Sequence, residues 1–293
     1  MSTLSDSVLA VVVLYNRQFK DVPCATCIRQ WLAASAKTKT GLKLSKCLIY
    51  DNSPVQQQLN DFLSESIVVV HDKSNGGTLA AYLHALEMAR FYGYTWILLI
   101  DHDTDLPQSY FFDADNALNS VLSKNSVCAV VPLVYDGINK ISPAYITNYG
   151  RLFVFDDEPK PAYARGSLTA IASASLVKSD FLHKLLPIPS VFSLDYLDHW
   201  IFRELQQKGG RIAFSSARVE HSLSVNSMKL MSIPRYRSIL AAELAFLRSG
   251  LQYSPQLHLF WHLCRTLKLL FLVRRPQLVV VNANAIINIL RSK

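Results

Sequence analysis

The stretch WILLIDHDTD, residues 96–105, decides how this chain folds. Its apolar half, Trp96–Ile100, is a continuous run of the kind buried on both faces of a sheet. Its polar half places Asp101, Asp103 and Asp105 in one short loop at the strand's carboxyl end. Clustered carboxylates repel one another unless a cation or a shared proton intervenes. An Asp-x-Asp at a strand end therefore suits Mg2+ or Mn2+, with phosphate oxygens completing the shell. A solvated acidic turn is the plain alternative.

Upstream, the apolar runs Val8–Tyr15, Cys47–Tyr50 and Ile67–Val70 end in Asn16, Asp51-Asn52 and His71-Asp72. Helix-like stretches, notably Val55–Glu65 and Thr78–Tyr92, lie between the runs. Buried strands alternating with helices predict a parallel α/β sheet. Ligands of such sheets bind beyond the carboxyl ends of the strands, where the polar residues gather here. Downstream, Cys128–Tyr135 continues the sheet and residues 137–166 read as loop. Residues 168–177 (LTAIASASLV) read as a strand, Asp198–Lys208 as a helix closed by Gly209-Gly210, and Arg211–Ser216 as a strand running toward His221. From Ile233 the pattern is helical, over Ile233–Leu247, Pro255–Val273 and Leu278–Leu290. The chain thus divides into an α/β domain, residues 1–232, and a basic amphipathic helical region, residues 233–293.

Five further segments carry candidate chemistry. VVVLYNR (11–17) and LIYDNSP (48–54) are strand-to-loop junctions whose Asn16, Asp51 and Asn52 suit a base and a ribose; Asp and Asn are equally ordinary turn residues. In KSNGGTLAAYLHALEMA (73–89), Asn75-Gly76-Gly77 opens a helix whose free N–H groups favour a phosphate. The glycine spacing fits neither a P-loop nor a dinucleotide fingerprint. FSLDYLDHWIFREL (192–205) offers Asp195 and Asp198, on one face if the helix begins that early, with Asp198 as a general base or a first-turn acid. In VEHSLS (219–224), His221 follows a strand and matters if it comes near Asp103.

Composition bounds the rest. Half of the 293 residues are hydrophobic and 18% are charged, which excludes a disordered chain. The net charge of +8 sits in the last quarter, since residues 221–293 carry ten Lys/Arg against Glu243 alone. Those basic residues lie among Leu and Phe rather than in a groove-reading motif, so no nucleic-acid partner is expected. The five scattered cysteines complete no zinc site and read as reduced packing residues of a cytosolic protein. The N-terminus lacks the basic region of a signal peptide. Leu257–Val273 holds too many charges for a membrane span. A basic amphipathic helix on an anionic membrane surface is the functional reading of the tail, and a helical hairpin packed on the domain or on a dimer partner is the other.

Taken in order, these segments resemble the family 2 glycosyltransferases with the GT-A fold, and within them the rhamnosyltransferase-like branch. The resemblance runs from about Val8 to Ser224 and on to the Arg235-Tyr236 region. It implies a GT-A, Rossmann-like mixed sheet with flanking helices and a C-terminal helical tail. It further implies that Tyr15, Asn16, Arg17 and Asp51 hold the nucleoside, and that Asn75 to Gly77 lies beside the nucleotide-sugar. By the same likeness Asp103 and His221 join the metal shell, Asp101 and His102 lie nearer the ribose or sugar, and Asp198 is the base with Asp195 its rival. The chain departs from the pattern in carrying His102 between the aspartates and in the spacing of Asp198 and Arg203.

The implied protein is an inverting, Mg2+- or Mn2+-dependent hexosyltransferase of surface polysaccharide synthesis. Its donor would be a nucleoside-diphosphate sugar, with deoxythymidine-diphosphate rhamnose favoured over a uridine-diphosphate hexose. Its acceptor would be a glycan or a lipid-linked hydroxyl, reached from the cytoplasmic face of the membrane. A homodimer is compatible with the tail. The competing reading is a non-catalytic nucleotide-sugar-binding or membrane-surface scaffold protein on the same fold.

Overall fold

A computed structural model describes residues 6–34, 40–58, 64–121, 124–155, 166–221, 231–250 and 253–291. The decisive run forms strand β4 (Trp96–Asp101), parallel to β1 (Asp6–Leu14); β1 pairs in turn with β2 (Leu42–Asp51), and β2 with β3 (Ile67–His71). Register aligns their carboxyl ends, with Leu14 opposite Asp51, Asp51 opposite His71 and Val13 opposite Asp101.

Beyond β4 the sheet becomes mixed. The strand β11 (Ser175–Lys178) lies antiparallel between β4 and β6 (Val127–Asp136), and β12 (Arg211–His221) runs parallel to β6. The end of β12 pairs antiparallel with β5 (Thr104–Asp105), setting His221 opposite Thr104 and Glu220 opposite Asp105. Strand β7 (Asn139–Ser142) hangs antiparallel on β6. A small separate sheet has the order β10 (Gly166–Thr169), β8 (Ala144–Thr147), β9 (Leu152–Val154).

Successive side chains of a strand point to opposite faces, so a doubly buried sheet needs a core on each side. Val8, Ala10, Val12 and Leu14 of β1 pack with α1 (Ala25–Ala33) and α3 (Tyr110–Ser120). Leu9, Val11 and Val13 pack with α2 (Gly77–Tyr92), α4 (Ser179–His183) and α5 (Leu197–Gln207). All five cysteines are free thiols, and Cys24, Cys27, Cys47 and Cys128 are buried.

Three sequence expectations are corrected. Residues 137–166 are not loop throughout, since β7, β8 and β9 fall there. Residues 168–177 are not one strand: β10 ends at Thr169, Ala174 takes a positive φ of 63°, and β11 starts at Ser175 in the other sheet. Residues 55–58 and 64–65 are not helical, and 59–63 lie outside the described residues.

The tail consists of α6 (Ile233–Arg248), α7 (Pro255–Lys268) with one π-helical turn over Leu269–Val273, and α8 (Pro276–Leu290). The Ser232 hydroxyl caps α6 by accepting from the Arg235 N–H. Helix α6 belongs to two cores: Ala242, Phe246 and Leu247 join the domain, while Tyr236 and Leu240 pack with Leu269, Leu278 and Val281. Along α7, His258, His262 and Leu269 point inward and Phe260, Leu263, Leu267 and Phe271 face outward. Among the described residues, no helix is long and apolar enough to cross a membrane.

Candidate active site

A cavity of about 640 Å³ opens at the carboxyl ends of β1, β2 and β4. The α/β domain lines it with Tyr15, Asn52, Asn75, Gly77, Asp101, His102, Asp103 and His221. The start of the tail closes one side with Met231, Ser232 and Arg235.

The β5–β12 pairing explains how His221, more than a hundred residues away in sequence, reaches the Asp-x-Asp loop. Thr104 Oγ1 sits 3.0 Å from His221 Nδ1, and the Ser173 hydroxyl bonds both to Thr104 Oγ1 and to the Asp101 N–H. His221 Nδ1 also lies 3.3 Å from Asp103 Oδ1. Burial lowers the pKa of His221, against the pull of Asp103. A neutral imidazole beside a carboxylate is a donor set for a divalent cation.

One ligand atom each from Asp101, Asp103 and His221 falls within 4.8 Å of the others. Asp103 Oδ1 is buried and has no hydrogen-bond partner among the described residues, an arrangement that a cation would satisfy. Burial raises the Asp101 pKa to about 8, with the charges of Asp198 and then Asp103 adding to it. These residues therefore fit a divalent ion, and the imidazole nitrogen suits Mn2+ better than Mg2+.

The wall that carries Asn52, Asn75 and Gly77 is shaped by backbone. Gly77 opens α2 with φ of 78°, and a Cβ there would sit 2.7 Å from the Ser193 carbonyl oxygen. The Asn52 amide donates to the Gly77 carbonyl at 3.3 Å, and its buried Oδ1 has no partner among the described residues. Asp51 is fully buried, and its carboxylate accepts from the Ser53 and Gln57 N–H groups at 3.0 and 2.8 Å, shaping the loop behind Asn52. Asn16 takes a positive φ of 52° and its N–H donates to the Ser53 hydroxyl; its side chain and that of Arg17 are exposed.

Asp195 and Asp198 do not share a helix face. The left-handed Tyr196, with φ of 58°, precedes α5 and turns the two apart. Asp195 pairs with Arg235 at 2.8 Å, and burial raises its pKa in spite of that cation. Asp198 Oδ2 accepts from the Ala172 N–H at 3.0 Å. Burial raises the Asp198 pKa to about 6, offset in part by that bond, while Asp195 adds a small push upward. A carboxylate so placed is ionised at neutral pH yet basic enough to take a proton.

Reading the sequence segment by segment did not single out Ser173, Thr104 or Met231. Ser173 sits in the bend that replaces the expected long strand, and Thr104 looks like an ordinary loop residue until β12 pairs with it.

The architecture is the GT-A arrangement, a mixed sheet with flanking helices. A crystal structure of Staphylococcus aureus TarS residues 1–349 shares it, with a TM-score of 0.50 at 12% identity over 98% of this chain and 92% of that one. A complex of the same TarS segment with UDP gives 0.49 at 12% identity, over 92% of this chain and 73% of that one. The TarS crystal structure of greater length gives 0.48 at 11% identity over 90% of this chain, which spans only 44% of its length. No known family profile matches the chain, and no curated protein does. Likeness at these identities concerns the fold.

Proposed function

We propose that the chain is an inverting glycosyltransferase. It moves a hexosyl group from a nucleoside-diphosphate sugar to a hydroxyl of a glycan or lipid-linked acceptor in surface polysaccharide synthesis. The observation that carries this reading is the convergence of Asp101, Asp103 and His221 on one cavity, with the charge of Asp198 acting on Asp101. In this reading Asn52 and Tyr15 hold the nucleoside, and the loop from Asn75 to Gly77 lies against the diphosphate. Asn16, Arg17 and Asp51 support that pocket, Asp51 through the backbone of the loop it caps. A divalent ion on Asp101, Asp103 and His221 would supply positive charge against the departing diphosphate. Asp198 accepts the proton of the acceptor hydroxyl as its oxygen bonds to the anomeric carbon. The bond from that carbon to the diphosphate oxygen breaks on the opposite face, the nucleoside diphosphate leaves with the electron pair, and configuration inverts. Asp195 orients Arg235 at the rim.

The sequence resemblance favours a deoxythymidine-diphosphate donor such as rhamnose. A thermal-shift panel of nucleoside diphosphates and their sugars, with Mn2+, Mg2+ or EDTA, tests this, because a ligand bound only by the native state raises its apparent stability. Metal-dependent stabilisation by one diphosphate, abolished in Asp103→Ala, is the expected result. No response from a folded protein refutes the reading. Donor binding that survives with no turnover on any acceptor favours the scaffold alternative.

We further propose that the tail rests on anionic lipid at the cytoplasmic face. The outer face of α7 and the π-turn exposes Phe260, Leu263, Leu267, Phe271 and Leu272, with Lys268 and Arg274 exposed beside them. Apolar side chains bordered by cations suit a headgroup region. Flotation with phosphatidylglycerol vesicles but not with phosphatidylcholine vesicles is expected. A dimer that does not float would place a second copy there instead.

A further inference from the structure

We propose a second metal site, for Zn2+, between the helices of the tail and independent of the proposed reaction. His258 and His262 stand one turn apart on α7, and Glu243 faces them from α6; their exposures are 0%, 2% and 3%. The two Nε2 atoms are 3.0 Å apart, and Glu243 Oε1 is 3.5 Å from His258 Nε2. One donor atom from each residue lies within 4.8 Å of the others. Ligands held about 2.0–2.1 Å from a tetrahedral zinc stand about 3.3 Å from one another, and the two short separations straddle that value.

The outer partners point the same way. Asn282 donates its amide to the His262 carbonyl and to Thr266 Oγ1, which leaves Asn282 Oδ1 to accept from His262 Nδ1 at 2.8 Å. His262 Nδ1 therefore carries the proton, and its Nε2 is a lone pair aimed at His258. His258 Nδ1 meets the Tyr253 hydroxyl at 2.9 Å, so that ring is also held by its far nitrogen. Imidazoles oriented in this way through the second nitrogen are the usual support of a metal ligand. Arg265 fixes the Glu243 carboxylate, Nη1 donating to Oε2 at 2.8 Å and Nη2 to Oε1 at 3.0 Å, so Oε1 faces both the guanidinium and His258 and has one lone pair for an ion. Without an ion, a single proton must bridge the two Nε2 atoms. Zinc displaces that proton, and a bound water, readily ionised, fills the fourth position and adds counter-charge. The ion would clip α7 to α6, the helix whose first turn lines the cavity.

The test uses the full chain carrying Asp103→Ala, so that an ion at Asp101, Asp103 and His221 is not counted. The protein is produced in zinc-supplemented medium, gel-filtered and assayed for metal by mass spectrometry. Stoichiometric zinc is expected, falling severalfold in His262→Gln. Where that variant does not fold, Co2+ loaded into the Asp103→Ala chain reports the site by the intense visible absorption of a tetrahedral ion. Zinc-free folded protein that also takes up no Co2+ on refolding overturns the proposal, as does equal zinc in folded His262→Gln; both leave the proton-bridged network in its place.

Discussion

Replacing Asp198 by Asn separates stability from catalysis at one atom. The Asp198 carboxyl has its pKa lifted from the usual 3.8 to about 6, chiefly by burial. A carboxyl lifted in the fold binds its proton more tightly there than in the unfolded chain. Its favourable contribution is complete below pH 3.8 and is lost as pH rises through about 6. Above both values the ionised group costs up to about 3 kcal/mol of folding stability. Asparagine keeps an oxygen for the Ala172 N–H and carries no charge to desolvate. Asp198→Asn should therefore be more stable than the parent at pH 7.5, with Tm raised by about 5 °C, allowing for partial offset elsewhere. The gain should fade between pH 6 and pH 4. Scanning calorimetry of both proteins in EDTA, at half-unit steps from pH 4 to 8, reads this directly. The same substitution should lower kcat by about a hundredfold or more, the usual contribution of a general base. It also removes the largest charge acting on Asp101, so Mn2+-nucleotide affinity should hold or improve. A variant less stable than the parent at pH 7.5, or a gain that ignores pH, would refute the account of Asp198 as a desolvated base.

Gly77→Ala should cost about 2–4 kcal/mol in urea unfolding, because the new methyl combines a left-handed backbone with contact on the Ser193 carbonyl. Arg203 is buried, donates to the Phe246 carbonyl at 2.7 Å and the Ser249 hydroxyl at 2.8 Å, and lies over the Phe246 ring. Arg203→Lys, with one charged point instead of a fork, should destabilise by about 2–3 kcal/mol in the same assay. Phe271→Asp with Leu272→Asp alters side chains 69% and 71% exposed, so Tm should hardly move while vesicle flotation is lost.

The legible parts of this fold are those written in contiguous residues. The apolar runs of β1 to β4 carry their strand identity locally, and the turn that follows β4 after Asp101 marks the carboxyl edge where the cavity opens. The break at Ala174 is hard to see because LTAIASASLV is bounded by apolar residues and contains neither Gly nor Pro; its direction is set by a backbone bond from the Ala174 N–H to the Leu99 carbonyl. Strands β7 to β9 are three or four residues long, too short for periodicity to register. At the site, Asp101, Asp103 and His221 were named from motif and resemblance. The different surroundings of Asp195 and Asp198 depend on the left-handed Tyr196 and on Arg235 arriving from α6, and no local spacing encodes either.

The double membership of α6 has a consequence for rearranging this chain. A cut at residue 232, where composition changes, would take away Arg235 from the cavity rim and Ala242, Phe246 and Leu247 from beneath α5. The helix is a shared beam between two rooms. A tail exchanged with that of another protein would have to be joined beyond Arg248, after the beam, so that recombination could change the outer helices while the rim of the cavity stays intact.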